Sequence, residues 1–287
     1  MQTENHTTHT LVAITGAAGG LGRAFAVECA SRGWDLLLID VNETGLETLA
    51  EGIRRTSAVE VLTHPCDLTD TAAREALFTR MRAESLRFWC LINVAGVDYE
   101  GPFFERTGQQ IRTIVRLNIE ATLEMTRTLL QYRDPFAAFR VINVASLAAF
   151  YPMPVKATYA ASKRFLLDFS LALREEMRPM GASVTVLCPA GMPTNPECER
   201  GIEAQGWMGH ITTLDTGRVA NETINAALAG RAVVIPGWVN RGMRLAGALL
   251  PARWIARLIG SRWQSTHRRR EQLAQPAALA DSSRSAG

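Results

Sequence analysis

The sequence has few of the features that mark secreted, metal-binding or membrane-spanning proteins. Its five cysteines include no pair spaced by two residues and mostly lie in apolar runs, which favours reduced thiols over a disulfide framework or a zinc site. No apolar stretch reaches the ~18 residues that a spanning helix requires. The first ten residues are polar and lack the basic and apolar regions of a secretory signal. These absences predict an intracellular, cytoplasmic chain without a metal site.

Lysine is almost absent, because arginine supplies all but two of the 31 basic side chains. The net charge is +3, but the segment from Arg241 to Arg270 contains eight arginines and no acidic residue, so the remaining chain carries −5. An acidic body argues against nucleic-acid binding. A composition that is 47% hydrophobic and 21% charged is typical of a soluble globular protein and excludes wholesale disorder.

Short apolar runs alternate with longer segments of helical period through the first two-thirds of the chain. The predicted strands are Leu11–Thr15, Trp34–Asp40, Val59–His64, Phe88–Val94, Phe139–Ala145, Ser183–Cys188 and Ala232–Pro236. The predicted helices are Leu21–Arg32, Glu43–Arg55, Thr71–Glu84, Gln109–Gln131 and Val155–Met177. This alternation predicts an α/β fold with a doubly wound, mostly seven-stranded parallel sheet of the Rossmann type and helices on both faces.

We expect one domain at residues 10–237, because no linker divides this part of the chain. It includes a substrate lid at about 195–214. A basic amphipathic extension follows at 238–265, and the low-complexity tail at 266–287 and the polar residues 1–9 are predicted to be disordered.

The first predicted strand runs directly into the sequence TGAAGGLG, which spans Thr15 to Gly22, and a helix follows. Glycine is needed there because the backbone must turn sharply and approach a pyrophosphate, where a Cβ would collide. The helix then presents N–H groups and its positive dipole end to the phosphates. The pattern predicts a nucleotide site, with a plain glycine-rich turn as the alternative.

Asp40 ends the second strand about twenty residues further on, where a carboxylate accepts both adenosine ribose hydroxyls and repels a 2′-phosphate. The turn contains no lysine or arginine before Gly20 that could neutralise such a phosphate. Together these features favour NAD over NADP. The alternative is a surface aspartate that caps the following helix.

Tyr159 and Lys163 are one helical turn apart and therefore lie on one face of a helix. A lysine ammonium beneath a cofactor ribose can depress the pKa of a neighbouring phenol from its reference of about 10. Ser146 closes a strand at the edge of the sheet where such folds bind ligands. Asn118 lies in mid-helix, where an amide is awkward to bury without a partner. Each residue alone has a plain alternative (an exposed Tyr–Lys pair, a serine N-cap, a solvated asparagine), but their order behind the glycine turn favours a catalytic set.

In these residues the sequence resembles the short-chain dehydrogenase/reductase superfamily, over roughly residues 10–237. TGAAGGLG matches its TGxxxGxG motif, and the other matching segments are Asp67-Leu68, Asn93-Val94-Ala95-Gly96 and Pro189 to Thr194. The resemblance implies that Tyr159 is the general acid/base and that Lys163 lowers its pKa and binds the nicotinamide ribose. It also implies that Ser146 donates to the substrate oxygen and that Asn118 holds a water of a proton relay.

The resemblance further implies a set of cofactor contacts. They are Gly16, Gly19, Gly20, Leu21, Gly22, Asp40, Val41, Asp67, Leu68, Asn93, Ala95, Gly96, Tyr159, Lys163, Pro189, Met192 and Thr194. Two positions depart from the family pattern. Val94 replaces an asparagine and is expected to remove a side-chain hydrogen bond between strands, and Gly191 lies one place later than the usual glycine, which affects the nicotinamide side.

Substrate contacts are expected from the loop after Ser146 and from the segment after Thr194, both rich in apolar and aromatic residues. The candidates are Ser146, Leu147, Ala148, Tyr151, Tyr159 and Trp207. The first loop has no arginine to bind a carboxylate or phosphate, which predicts a hydrophobic secondary alcohol or ketone, such as a steroid-, retinoid- or acyl-like compound. Ordinary core packing under a lid is the alternative. A catalytically silent dinucleotide-binding redox sensor or scaffold is the alternative function, and the presence of Tyr159 and Lys163 argues against it.

The extension at 238–265 combines tryptophans and arginines with an apolar stripe formed by Trp254, Ile255, Leu258 and Ile259. A basic amphipathic helix of this kind predicts peripheral contact with an anionic membrane such as the inner membrane surface. The same features suit a helix that packs over the substrate pocket or against a second subunit. The family resemblance also implies a homodimer or homotetramer.

Overall fold

Seven parallel strands form one sheet in the order β3-β2-β1-β4-β5-β6-β7. The computed structural model describes residues 10–192 and 214–261. Its strands are β1 (Thr10–Thr15), β2 (Leu36–Asp40), β3 (Val61–Pro65), β4 (Arg87–Asn93), β5 (Arg140–Val144), β6 (Ser183–Leu187) and β7 (Val233–Val234). The predicted doubly wound parallel fold is confirmed.

Helices connect the strands and cover both faces of the sheet. They are α1 (Gly20–Ser31), α2 (Glu43–Thr56), α3 (Thr71–Ala83), α4 (Gly108–Ile114), α5 (Thr122–Gln131), α6 (Ala157–Met177), α7 (Thr216–Leu228), α8 (Trp238–Ala248) and α9 (252–261). Short 3₁₀ turns lie at Phe103–Glu105, Leu147–Phe150 and Arg178–Met180. The single helix predicted at Gln109–Gln131 contains a π-helical segment, Val115–Ala121, between α4 and α5.

The core lies on both faces of the sheet because neighbouring residues of a strand point to opposite sides. Val12 and Ile14 of β1 pack with α1, α2 and α7, whereas Leu11 and Ala13 pack with α3 and α5. All four side chains are buried. Parallel strands end at the same edge of a sheet, so the residues that follow β1, β2, β4, β5 and β6 meet at one rim.

The C-terminal helix α8 packs against the loop that follows Ser146. The Tyr151 hydroxyl donates to the Met243 carbonyl at 2.8 Å, and the Arg244 guanidinium lies 5.0 Å from the Phe150 ring centroid. A Cβ at Gly247 would lie 2.3 Å from the Tyr151 ring, so this close approach requires glycine. The structure thus shows the start of the extension packed against the loop that follows Ser146, and the predicted roles at a substrate pocket, a second subunit or a membrane stay predictions.

Several sequence-based expectations fall outside the described residues. They concern the N-terminus at 1–9, the lid at 195–214 apart from Leu214, the end of the extension after residue 261, and the tail at 266–287. Within the part of the chain that the structure does describe, no helix combines the length and apolar character needed to cross a membrane.

Candidate active site

The glycine turn lies between β1 and α1 and packs directly against the end of β4. Gly16 has a φ of 66°, and a Cβ there would lie 2.8 Å from the backbone of Ala95. The Thr15 hydroxyl accepts the N–H groups of Val94 and Ala95 at 3.2 and 3.3 Å. No side chain caps α1 at Gly19, so the first N–H groups of this helix suit a phosphate.

Asp40 faces this turn and does not cap α2. Its Oδ2 accepts the Ala18 N–H and its Oδ1 accepts the Asn42 N–H, both at 2.9 Å. Asn42 itself caps α2, because its Oδ1 accepts the Gly45 N–H at 2.9 Å. The alternative in which Asp40 serves as the cap is therefore wrong, and the carboxylate is held beside the glycine turn.

A basic side chain also lies at this turn, which the sequence analysis missed. The Arg23 Nε donates to the Ala18 carbonyl at 2.7 Å, on the same peptide segment that contacts Asp40. Arg23 follows Gly20 in the sequence, but a side chain one turn into α1 can fold back over the start of the helix. Val41, the other candidate beside Asp40, is exposed.

The Asp67-Leu68 pair divides into an exposed and a buried member. The Asp67 Oδ1 accepts the Thr69 N–H and hydroxyl, both at 2.8 Å, and the residue is exposed at the rim. The Leu68 side chain is part of the core, and its carbonyl accepts from Arg74 at 2.6 Å. A contact with adenine therefore suits Asp67, or the backbone of this pair, better than the Leu68 side chain.

Asn93 is the last residue of β4, and its side chain is buried. Its Nδ2 donates to the Asn143 Oδ1 at 2.9 Å and to the Thr126 hydroxyl at 3.1 Å. Asn143 lies directly opposite Asn93 in the sheet and donates in turn to the Ser170 hydroxyl at 2.9 Å. The expectation that Val94 removes a side-chain bond between strands is thus offset, because Asn143 supplies one from the next strand.

Asn118 belongs to the π-helical segment and is completely buried. Its Oδ1 accepts the Val97 N–H at 2.8 Å, while its Nδ2 donates to the Val97 carbonyl at 3.0 Å and to the Ser162 hydroxyl at 3.1 Å. The alternative of a solvated asparagine is wrong, because the amide holds the backbone after β4 in place. Such π-helical turns often occur at functional sites. The water of the proton relay stays a prediction.

Tyr159 and Lys163 lie on one face of α6, with the Lys163 Nζ 5.7 Å from the Tyr159 ring centroid. The Lys163 Nζ donates to the Val144 carbonyl at 2.8 Å. A Cβ at Gly96 would lie 3.2 Å from the same Nζ. Burial lowers the pKa of Lys163 to about 8, against an opposing effect of Asp98. The ammonium is thus held between the ends of β4 and β5, beside the phenol.

Ser146 follows β5 and is half-buried. Its hydroxyl oxygen accepts the Ala148 N–H at 3.1 Å and so caps the 3₁₀ turn Leu147–Phe150. A hydroxyl that accepts from the backbone still has its own proton to donate. The capping role and the predicted role toward a substrate oxygen are therefore compatible.

The remaining candidate residues lie in the core, in the segment after β6, or outside the described part of the chain. Leu147 and Ala148 are nearly buried, and Leu147 packs into the core between α6 and β6. The Pro189 carbonyl accepts the Leu147 N–H at 2.8 Å, and Met192 packs partly buried against the core. Thr194 and Trp207 lie outside the described residues.

A second lysine beside Tyr159 escaped the sequence analysis. The Lys156 Nζ lies 5.8 Å from the Tyr159 ring centroid and forms ion pairs with Asp98 at 2.5 Å and Glu100 at 3.1 Å. Burial alone would lower the pKa of Lys156, but the two carboxylates outweigh it and raise this pKa. We refer to Asp98, Glu100 and Lys156 as the Lys156 cluster. Its members come from two distant segments, so no local pattern predicts their ion pairs.

The geometry suits a dinucleotide better than a metal. The residues at 10–192 and 214–261 include no group of three histidine, cysteine or acidic side chains that could hold a metal ion. In contrast, the turn with Gly16, the uncapped α1 and the Asp40 carboxylate form a cradle for a pyrophosphate and a ribose. The buried Lys163 ammonium lies at the same rim. Fold and site together define the class of doubly wound, dinucleotide-binding dehydrogenases.

A family model described as short chain dehydrogenase matches residues 10–202, and the chain belongs to this family. It is thereby placed among the NAD(P)-binding oxidoreductases. It is 31% identical over 185 residues to the 17-beta-hydroxysteroid dehydrogenase type 3 of Mus musculus, a match that covers 63% of this chain and 59% of that protein. It is 30% identical over 179 residues to a very-long-chain 3-oxoacyl-CoA reductase of Pyrenophora tritici-repentis, covering 61% and 52%. The chain thus spans less than two-thirds of the length of these relatives.

Among solved structures, a short-chain dehydrogenase from Sphingobium yanoikuyae in complex with NADPH superposes with a TM-score of 0.72. The two chains are 28% identical, and the match covers 83% of this chain and 93% of that one. This agreement supports the fold.

Proposed function

We propose that this chain interconverts a hydrophobic secondary alcohol and its ketone with NAD(H) as the cofactor. The observation that carries the proposal is the position of the Lys163 ammonium, 5.7 Å from the Tyr159 ring centroid at the rim of the sheet. A phenol beside a buried cation is suited to proton exchange with a carbonyl or carbinol oxygen. The glycine turn lies at the same rim and suits the pyrophosphate of the cofactor.

The mechanism assigns one task to each residue. Ser146 donates its free hydroxyl proton to the substrate oxygen, and Tyr159 exchanges a proton with the same oxygen. Lys163 holds a positive charge near the phenol and would bind the nicotinamide ribose. Asn118 positions the backbone after β4 through its bonds to Val97. A bound nicotinamide would supply or accept the hydride at the substrate carbon.

The preference for NAD rests on the Asp40 carboxylate at the end of β2. It is held beside the glycine turn by the Ala18 and Asn42 N–H groups, where its charge would repel a 2′-phosphate. Arg23 opposes this preference, because its guanidinium contacts the same turn. The Asp40 carboxylate sets the preference, since it ends the second strand, where the ribose hydroxyls bind in folds of this kind.

The preference for a hydrophobic substrate rests on the surroundings of Tyr159. A cavity of about 40 Å³ beside it is lined by the apolar and aromatic side chains of Tyr99, Phe103, Ile111, Ile114 and Val155, and also by the polar side chains of Arg106, Gln110, Lys156 and Thr158. The mouse relative is named as a hydroxysteroid dehydrogenase and the fungal one as an oxoacyl-CoA reductase, so the names of both relatives point to lipid-like ketones.

The decisive experiment measures reduced nicotinamide by absorbance while purified protein is mixed with NAD⁺ or NADP⁺ and a panel of steroids, aliphatic alcohols and sugars. We expect turnover with hydrophobic alcohols and a higher kcat/KM with NAD⁺. Tyr159→Phe should reduce kcat by about 10²–10⁴, the usual contribution of a positioned acid/base. A protein that binds the dinucleotide but turns over no alcohol or ketone would instead be a silent redox sensor, and this outcome would refute the proposal.

We also propose that the chain forms a homodimer or homotetramer. The outer face of α6 is apolar in part, because Phe165 is exposed and stacks on Phe169 with ring centroids 6.0 Å apart. Light scattering of the purified protein measures the assembly directly. Phe165→Glu should shift it toward the monomer if α6 forms the contact, and a wild-type monomer at micromolar concentration would contradict the proposal.

Finally, we propose that α8 and α9 contact an anionic membrane surface. Leu249 is 85% exposed and Trp254 is 57% exposed, with the arginines Arg253 and Arg257 on the exposed side of α9. Exposed apolar side chains interleaved with cations suit an interface of anionic lipid.

Vesicle flotation tests this contact. We expect binding to vesicles that contain phosphatidylglycerol and little binding to pure phosphatidylcholine. Trp254→Ser should weaken the binding, whereas Phe136→Ser, which removes an exposed aromatic ring far from these helices in sequence, should not. Equal recovery of all three proteins with both kinds of vesicle would refute the contact.

A further inference from the structure

The turn that follows β3 lies beside Asp40 at the rim of the sheet. Asp40 and Pro65 are partners in the pairing of β2 with β3, and the Cys66 N–H donates to the Asp40 carbonyl at 2.8 Å. Asp67 and Leu68 come next in the chain. A nucleoside whose ribose binds the Asp40 carboxylate therefore has its base within reach of this turn.

Asp67 uses one carboxylate oxygen inside the turn and leaves the other for a ligand. Its Oδ1 accepts the Thr69 N–H and hydroxyl, both at 2.8 Å, and its carbonyl accepts the Asp70 N–H at 3.0 Å. The residue is exposed, and no donor among the described residues bonds its Oδ2. This oxygen can accept an N–H from the exocyclic amino group of adenine.

Arg74 holds the same turn from inside the protein. Its Nη1 donates to the Leu68 carbonyl at 2.6 Å, and its Nη2 donates to the Thr71 hydroxyl at 3.3 Å. The side chain is only 1% exposed, and Leu68 is buried as well. The guanidinium thus fixes the buried residue next to Asp67 without reaching the exposed side of the turn.

Two carboxylates fix the guanidinium itself. The Arg74 Nε donates to the Glu124 Oε2 at 2.6 Å, and its Nη2 donates to the Glu120 Oε1 at 2.5 Å. Glu120 belongs to the π-helical segment and Glu124 to α5. A planar guanidinium with bonds on all three nitrogens cannot rotate without losing one of them, so its contact with Leu68 is rigid.

We propose that Arg74 is a positioning residue for adenine recognition, because its grip on the Leu68 carbonyl sets where the neighbouring Asp67 carboxylate meets the base. The inference rests on the predicted adenine contact of Asp67 and Leu68. Arg74 acts through the turn and contacts neither substrate nor cofactor. An unsupported turn shifts, and the Asp67 Oδ2 then loses its alignment with the adenine amino group.

The test compares NAD⁺ with nicotinamide hypoxanthine dinucleotide, in which a carbonyl replaces the amino group of adenine. The ratio of the two Kd values, hypoxanthine over adenine, measures the Asp67 contact in isothermal titration calorimetry. We expect a ratio of about tenfold in the wild type, the value of one hydrogen bond to a charged acceptor. In Arg74→Met the ratio should fall by at least about threefold.

Arg174→Met is the matched control. Arg174 is also a helical arginine that donates to backbone carbonyls, those of Val184 at 3.0 Å and Gly230 at 2.5 Å, but it lies near the amino ends of β6 and β7. Its ratio should equal that of the wild type. Asp67→Ala should bring the ratio close to one, which verifies that the ratio reports this carboxylate.

Two readouts distinguish positioning from general support of the fold. With an alcohol that reacts, Arg74→Met should raise KM for NAD⁺ and leave kcat at saturating NAD⁺ within about twofold, and Arg74→Lys, which keeps a charged donor, should restore part of the ratio. A wild-type ratio in folded Arg74→Met overturns the inference. A fall in kcat without a change in the ratio also overturns it, because Arg74 would then act on the helix of Asn118.

A second variant covers the case in which Arg74→Met does not fold. Glu120→Ala combined with Glu124→Ala releases the guanidinium, and both glutamates are 40% exposed, so their loss buries no unpaired acceptor. A wild-type ratio in this double variant overturns the inference.

The two dinucleotides also separate this inference from the proposed function. Equal affinity of the wild type for both means that Asp67 does not contact the amino group, and the inference fails while the alcohol–ketone activity keeps its own assay. If neither dinucleotide binds, the proposed function fails together with the inference.

Discussion

Arg74 offers the sharpest test of how the structure stabilises its site. This side chain is only 1% exposed and links α3 to the helix of Asn118. It donates to Glu124 at 2.6 Å, to Glu120 at 2.5 Å and to the Leu68 carbonyl at 2.6 Å. Arg74→Met keeps most of the apolar stem and removes all of these bonds.

The expected loss of stability depends on whether each hydrogen-bond partner of Arg74 can bond to water once the guanidinium is removed. The two glutamates are 40% exposed and regain water, so each bond contributes only about 1 kcal/mol, below the usual range for charged hydrogen bonds. The Leu68 carbonyl is buried and would lose its donor, which costs a further 1–2 kcal/mol or so. We therefore expect the free energy of unfolding to fall by about 3–4 kcal/mol and Tm by roughly 10 °C.

Urea unfolding followed by circular dichroism, without dinucleotide, measures this loss. Arg55→Met is the control, because Arg55 is 76% exposed and forms a surface pair with Glu51 at 3.1 Å. It should change the free energy of unfolding by less than about 0.5 kcal/mol. A loss below about 1 kcal/mol in Arg74→Met, or one equal to that of the control, would refute the reasoning.

Three further predictions concern the site itself. Asp40→Ala combined with Val41→Arg should raise the ratio of kcat/KM with NADP⁺ to kcat/KM with NAD⁺ by at least about tenfold, because an arginine that can bind the 2′-phosphate replaces the repulsive carboxylate. An unchanged ratio in steady-state assays would contradict the role of Asp40. The free energy of unfolding of the wild type should rise relative to that of Lys163→Met by about 1.4 kcal/mol per pH unit between pH 8 and 10.5, because the buried ammonium loses its proton before the unfolded lysine does. A constant difference between the two proteins in urea titrations across that range would contradict the lowered pKa. Gly96→Ala should weaken dinucleotide binding several-fold in a fluorescence titration, because the new Cβ would lie 3.2 Å from the Lys163 Nζ and displace the ammonium. An unchanged affinity would mean that the ammonium does not contact the cofactor.

Local patterns were sufficient to predict the features confined to one segment of the chain. The run of apolar residues at Leu36–Asp40 forms β2 because both of its faces are covered by helices. The spacing of Tyr159 and Lys163 places both on one face of α6, since an α-helix repeats every 3.6 residues. The glycine turn was also predictable, because few other residues allow the φ of 66° at Gly16.

Contacts between distant segments were not predictable from such patterns. Asn93 and Asn143 are 50 residues apart and meet only because β4 and β5 pair in that register. Arg74 was indistinguishable from a surface residue of an amphipathic helix, yet it is buried against α5. The π-helical turn at Val115–Ala121 left no mark on the apolar spacing of the predicted helix.

The sequence by itself determined the order of strands and helices, the glycine turn and the Tyr–Lys pair, because each depends on residues within a few positions of one another. Only the tertiary structure decided which charges surround that pair. Lys156 and Asp98 are 58 residues apart, and their ion pair exists because two loops at the rim of the sheet are held together. Electrostatic interactions act through space, so the charge beside Tyr159 depends on the fold as a whole.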